Sequence, residues 1–227
     1  TINSISAASF GSNALGVVGT NLGIGENALT SGSLSGSQNL AIGQSSSMAT
    51  TSGSGNTAVG YGTLQVNTIG GQNSVFGAQV LIANTSGDQN SGFGNESLNN
   101  NTTGNENSAF GHKTLYTNIN GSYNTAIGHK ALYTNLTGGN NTALGYQAGY
   151  SNSGGHLNVF IGHLAGYFET GSNKLYIGNS ASQNLITGDF SSGALSLGQA
   201  SGTVSVLNNL DVDGNLETDA LSINGTT

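Results

Sequence analysis

Asn124-Thr125-Ala126-Ile127-Gly128 is a five-residue phrase that returns as Asn141-Thr142-Ala143-Leu144-Gly145 and as Asn56-Thr57-Ala58-Val59-Gly60. Its closing glycine falls at 25, 43, 60, 77, 94, 111, 128, 145, 162 and 178, a spacing of seventeen with one slip of +1 and one of −1. A fixed period of this length predicts a coiled, stacked β architecture in which each repeat touches mainly its neighbours. The residue before the glycine is large and apolar in every copy: Ile24, Ile42, Val59, Phe76, Phe93, Phe110, Ile127, Leu144, Ile161 and Ile177. The residue before that is mostly Ala or Gly, turning bulky only as Phe160 and Tyr176. Neighbours on a strand point to opposite faces. We therefore expect the large column to form the core of each roll and the small strip to lie outside, against another copy of the chain.

Asparagine stands four residues before the glycine in nine copies, from Asn21 to Asn158, and gives way to Lys174 in the tenth. Identical amides one rung apart can pass hydrogen bonds along the axis. A second glycine recurs at 36, 53, 70, 87, 104, 121, 138 and 155, where a turn with positive φ is expected. Between the two glycines runs a further segment, as in Lys130-Ala131-Leu132-Tyr133-Thr134-Asn135, with Leu64, Leu81, Leu98, Leu115 and Leu132 in register. Each repeat thus reads strand, turn, strand, turn. The predicted fold is all-β, a stacked 17-residue-repeat β-roll or β-solenoid. So narrow a roll buries little apolar area per rung, so a homotrimer packed about the Ala/Gly face is expected.

Composition agrees. Of 227 residues 38 are Gly, none is Pro, Cys or Trp, and only 6% are charged. A backbone that donates to a ladder at nearly every residue has no place for proline. Ten acids against Lys113, Lys130 and Lys174 give a net charge of −7, which argues against nucleic acid or an anionic membrane surface as partner. No apolar run is long enough to insert in a bilayer as a helix. Without cysteine there is neither a disulfide framework nor a thiolate metal site. The start at Thr1 leads us to expect a piece of a longer or processed product.

The phrase Asn-Thr-Ala-Ile-Gly followed by His-Lys-Ala-Leu-Tyr, repeated over about 160 residues, resembles the repeats of trimeric adhesive fibres. These are the β-roll heads of trimeric autotransporter adhesins and related modules in bacteriophage tail fibres. Asn173-Lys174-Leu175-Tyr176-Ile177-Gly178-Asn179-Ser180, Leu185-Ile186-Thr187-Gly188-Asp189-Phe190 and Asn209-Leu210-Asp211-Val212-Asp213-Gly214-Asn215-Leu216 are similar to the segment preceding the self-cleaving chaperone of endosialidase-type tail fibres. The resemblance implies a homotrimeric, extracellular module on a virion tail fibre or a bacterial surface, attaching to a host through a glycan or protein receptor.

After Gly178 the period gives way to alternation in Val204-Ser205-Val206, Leu210-Asp211-Val212 and Leu221-Ser222-Ile223, with turn signals at Asp213-Gly214 and Asn224-Gly225. We divide the chain into a connecting segment (1–17), the repeat roll (18–181) and a thin trimeric β stem or hairpin segment (182–227). Asp211 to Asn215 opens like a calcium loop but lacks that loop's later glycine and glutamate, so a turn is expected.

The candidate ligand-binding residues are rings in two columns. One holds His112, His129 and His163, with Tyr61 and Tyr146 at the same repeat position, and the other holds Tyr116, Tyr133, Tyr150 and Tyr167. The plain reading is that such rings stack on one another and stabilise the roll, and the functional reading is a platform for sugar rings. No metal site, cofactor or enzyme activity is expected. The repeat-region acids Glu26, Asp88, Glu96, Glu106 and Glu169 are unpaired in repeat position, there is no nucleophile elbow, and no arginine is present to clamp an anion. The leading expectation is a structural and adhesive fibre module. A glycan-binding tyrosine ladder and an ice-binding solenoid are the alternatives.

Overall fold

The computed structural model describes residues 15–18, 20–31 and 34–198. They form one sheet of 13 strands in sequential order, with no helix among them. The strands are β1 (Leu15–Val18), β2 (Asn21–Ile24), β3 (Leu40–Ile42), β4 (Thr57–Val59), β5 (Ser74–Phe76), β6 (Ser91–Phe93), β7 (Ser108–Phe110), β8 (Thr125–Ile127), β9 (Thr142–Leu144), β10 (Val159–Ile161), β11 (Lys174–Gly178), β12 (Asn184–Asp189) and β13 (Ala194–Leu197). From β2 to β11 each pairs in parallel with the next, phrase against phrase, so that Ala126 lies beside Ala143 and Ile127 beside Leu144. The product is an all-β solenoid of about nine turns of about 17 residues. β1 is antiparallel to β2, and β12 and β13 run antiparallel beyond β11.

The faces of the strand are the reverse of the expectation. Ala41, Ala58, Val75, Ala109, Ala126, Ala143 and Phe160 are fully buried inside the roll, while Ile24, Phe76, Phe110, Ile127 and Leu144 are 37–47% exposed on the outside. The asparagine explains it. Residues two apart on a strand share a face, so Asn124 and Ala126 go in together and Ile127 must go out. Inside, the Ala column meets Leu64, Leu81, Leu98, Leu115 and Leu132 from the far side of each rung, and those leucines are also fully buried. One Leu and one Ala fill the width of a rung.

Asparagine belongs inside because every polar atom of its amide has a partner there. Asn107 donates its backbone N–H and its Nδ2 to Asn90 Oδ1, both at 3.1 Å, and donates Nδ2 again to Gly121 O at 2.8 Å. Its own Oδ1 accepts the same pair from Asn124, at 3.1 and 3.0 Å. A second ladder, unforeseen in the sequence, runs through Asn67, Asn84, Asn101, Asn118, Asn135 and Asn152. Asn118 Nδ2 also donates to Gly121 O, at 2.9 Å, so the two ladders grip one carbonyl from both sides.

The positive φ expected at the second glycine column lies instead at the first. The phrase-ending glycines carry the positive φ, as at Gly128 (130°). Gly121 and its equivalents are needed for close approach, since a Cβ there would lie 2.3 Å from Gly138 O and 2.4 Å from Asn118 Oδ1. The second segment is not a strand either. Lys130 and Leu132 have φ of 55° and 50°, so left-handed residues alternate with ordinary ones. Its rungs are nonetheless joined by backbone bonds such as Leu115 N–H to Ala131 O at 3.0 Å and Thr117 N–H to Tyr133 O at 3.1 Å. A buried leucine at positive φ is strained by roughly 1–2 kcal/mol, and packing against the Ala column holds it there.

Where Ala becomes Phe160, Leu becomes glycine. The ring of Phe160 fills the space between Gly149 and Gly166, whose added Cβ atoms would sit 2.4 Å and 2.2 Å from it. The same trade recurs at Gly92, where a Cβ would meet Val80 Cγ1 at 2.6 Å. Past the last rung, Lys174 Nζ pairs with Asp189 Oδ2 at 2.6 Å. Glu169 accepts from Tyr176 Oη (2.6 Å) and from the N–H groups of Gly171 (2.7 Å) and Thr170 (3.0 Å). The expectations for 1–14 and 199–227, including the strands at 204–223 and the turn at Asp211–Asn215, concern residues outside the described ones.

Two expectations follow. Phe160→Ala should destabilise the roll by about 3–5 kcal/mol, and Gly149→Leu should do so through overlap with the ring. The double variant, which restores the Ala-and-Leu pattern of the other rungs, should recover at least about 1 kcal/mol of the summed loss in urea titrations; strictly additive losses would refute the size trade. The second concerns acid. Burial opposes ionisation of Glu169, but the bonds from Tyr176, Gly171 and Thr170 outweigh it and hold its pKa below the ordinary value. Asp189 is lowered by its bonds from Lys174 and Ser191. Depressed carboxylates contribute stability above their unfolded values of 4.5 and 3.8, and that contribution fades as pH falls below them. Amides of β11 and β12 should therefore lose hydrogen-exchange protection below about pH 4, before those of β5–β8 do.

Candidate functional site

The solenoid turns repeat positions into columns, because each rung sets its equivalent side chain directly over the last. Tyr116, Tyr133, Tyr150 and Tyr167 form one stack, with successive ring centroids 5.2, 5.1 and 4.8 Å apart and planes within 8°. His112, His129, Tyr146 and His163 form a second, each 5.2 Å from the next. All seven candidate residues are thus brought into two columns. Tyr61 stands apart from both, since the next two rungs carry Ala78 and Asn95 at its position.

The stacking decides what these rings can do. Tyr133 and Tyr150 have both faces against neighbouring rings, and Tyr167 meets Phe168 edge-on at 4.8 Å. Lys113 Nζ lies 5.3 Å from the centroid of Tyr116. A sugar ring stacks on an aromatic face, and the interior members of the column have none to give. They present edges and hydroxyls only. The column contributes to the rigidity of the roll through ring pairs worth roughly 0.5–1.5 kcal/mol each.

In the histidine column, His129 Nδ1 is buried and has no hydrogen-bond partner among the described residues. Burial, then the positive charges of His112, Lys130 and Lys113, lower the pKa of His129 below 6.5. No cluster of three or more His, Asp and Glu side chains able to hold a metal occurs among the described residues.

The most extensive surface feature is one that the sequence placed inside. The outward apolar column runs the length of the sheet, with Phe76, Phe93 and Phe110 stacked at 4.9 and 4.8 Å in its middle. Beside it runs a Ser/Thr column, Thr57, Ser74, Ser91, Ser108, Thr125 and Thr142, two residues earlier on each strand. The signal was present in the parity: a residue next to a buried Ala on a three-residue strand has to face the other way. No protein family, curated protein or solved structure matches the chain.

A histidine whose charged form is disfavoured in the fold binds its proton later than in the unfolded chain. Its contribution to stability is present above pH 6.5 and declines as pH falls from 6.5 toward the folded value. In an NMR titration the His129 midpoint should lie below 6.5, and Lys130→Gln should raise it. A midpoint unmoved by that substitution would rule out the charge contribution.

Proposed function

We propose that the chain is a structural and adhesive module of a trimeric fibre, extracellular or virion-borne, that projects a rigid rod toward a host or other surface. The observation that carries this reading is the outward apolar column from Ile24 to Ile177. An exposed apolar stripe along a whole sheet marks an interaction surface, and on a β-solenoid its length makes it a lateral one. A closed symmetric assembly would bury the stripes of all its members together. The correction to the faces changes which column carries the contact, from Ala/Gly to Ile/Val/Phe, and strengthens the argument for the contact, since large side chains have more area to bury than alanine has.

Rigidity supports the same reading. Backbone bonds on both sides of the roll tie rung to rung, one amide ladder runs from Asn21 to Asn158, and a second joins the rungs from Asn67 to Asn152. The tyrosine column, with its faces occupied, belongs to that shaft rather than to a sugar platform. Nothing in the arrangement of the acids assembles a catalytic pair among the described residues.

Mass measurement by sedimentation should give three times the chain mass for the wild type. Phe93→Asp, at a half-buried outer position, should leave the monomer folded and shift the mass to that of one chain, because the charge would be buried only in the assembly. A wild-type monomer, or an Asp variant that remains trimeric, would overturn the proposal.

A further inference from the structure

At one turn of the roll a column of side chains caps the backbone of the preceding rung. Ser37 N–H donates to Ser54 Oγ (3.1 Å), Gly71 N–H to Asp88 Oδ1 (2.7 Å), Asp88 N–H to Asn105 Oδ1 (2.7 Å) and Asn105 N–H to Ser122 Oγ (2.9 Å). Gly139 N–H donates to His156 Nδ1 (2.9 Å), and His156 N–H to Ser172 Oγ (2.9 Å). The column fails at two rungs, where the capping residue is Gly71 or Gly139. Ser54 N–H and Ser122 N–H consequently have no acceptor among the described residues.

Gly71 also cannot be replaced in place. A Cβ there would lie 2.9 Å from Ser54 O, so the backbone is drawn in close at this rung. The missing side chain leaves a groove of about 380 Å³ lined by Ser52, Ser54, Ile69, Gly71, Gln72, Asp88 and Gln89. Its chemistry is specific. One free backbone donor, one carboxylate with a second oxygen uncommitted to the fold, and two exposed amides that both donate and accept converge on it. Ile69, 58% exposed, supplies an apolar wall.

We infer that this groove is a binding subsite for a neutral saccharide. A sugar hydroxyl accepts from an N–H while donating to a carboxylate, which is the pairing that Ser54 and Asp88 offer, and vicinal hydroxyls match the Gln72 and Gln89 amides. The C–H face of a pyranose suits Ile69, and the volume admits a single ring. Asp88 and the net charge of −7 disfavour an anionic ligand. The break at Gly139 offers His156 and Leu157 where the first has Asp88 and Gln89, so the inference is confined to the first. It gives the adhesive reading a ligand class and rests on that reading for its purpose, while its test is independent of trimer formation.

The test is amide NMR of the intact chain titrated with galactose, glucose, mannose, N-acetylglucosamine and N-acetylgalactosamine, with glycerol and N-acetylneuraminate as controls. At least one neutral sugar should shift the Ser54 and Gly71 resonances saturably, and neither control should. Asp88→Asn keeps an acceptor for Gly71 N–H, as Asn105 does one rung on, and should weaken binding about tenfold, as should Gln72→Ala. No saturable shift at Ser54, an equal shift with glycerol, preference for N-acetylneuraminate, or full affinity in both variants would each overturn the inference. A monomeric chain that still binds sugar would refute the fibre and leave the subsite standing. A trimer that binds none would do the opposite.

Discussion

The buried asparagine amide is the constraint from which the rest of the molecule follows. An amide placed in a dry interior is costly unless all its donors and acceptors are met, and here each is met by the neighbouring rungs, whose asparagines stand at the same height and pass the bond on. That requirement fixes the period. It also fixes the faces of the strand, because Asn124 inside puts Ala126 inside and Ile127 out. It demands glycine at 121, 138 and their equivalents, since the carbonyl that both ladders share can be reached only where no Cβ intervenes. Three columns of the repeat are therefore consequences of one.

The apolar interior is secondary to this network and correspondingly tolerant. One Leu and one Ala per rung can become two Gly flanking a Phe, as around Phe160, or a Val with a Gly, as at Val80 and Gly92, provided volume is conserved across adjacent rungs. Each such trade is settled between neighbours, which is how stability is distributed in a chain whose rungs contact only the next ones. The outer column has no such accounting inside the monomer. Ile127 and Leu144 contribute their area only when something lies against the sheet.

Much of this was legible in the residues. The period, the stacking, the asparagine ladder and the absence of helix follow from the phrase and its spacing. The orientation of the strand differs from the expectation because size is a poor guide to burial here: Ile127 is larger than Ala126, and in most folds the larger apolar residue is the inner one. In a roll one Leu wide, space and parity outrank size. The leucines at positive φ could not have been foreseen from propensity, since nothing but the rung-to-rung bonding and the packing of Leu132 on Ala columns keeps them there. The hint lay in Gly149 and Gly166, which occupy that leucine position and show what backbone it requires. The repeat register alone aligns the ring columns. Their occupied faces depend on the rung spacing falling within stacking distance, and only coordinates give that. The break at Gly71 is visible in sequence as a doubled glycine, yet it has meaning only once Asp88 and Ser54 are known to cap the turns on either side.

The strands that flank the solenoid have a consequence for how such a molecule acquires its size. A parallel ladder of near-identical rungs has no natural end, and its last open edge is a template for the next copy. β1 at one end and β12 and β13 at the other run against the ladder, so neither edge continues the seventeen-residue register. Length is thereby written in the gene rather than left to assembly. Adding or deleting one seventeen-residue unit between β1 and β12 would lengthen or shorten the rod by one rung and leave those flanking strands as they are, which makes the chain a ruler whose graduations can be counted in its glycines.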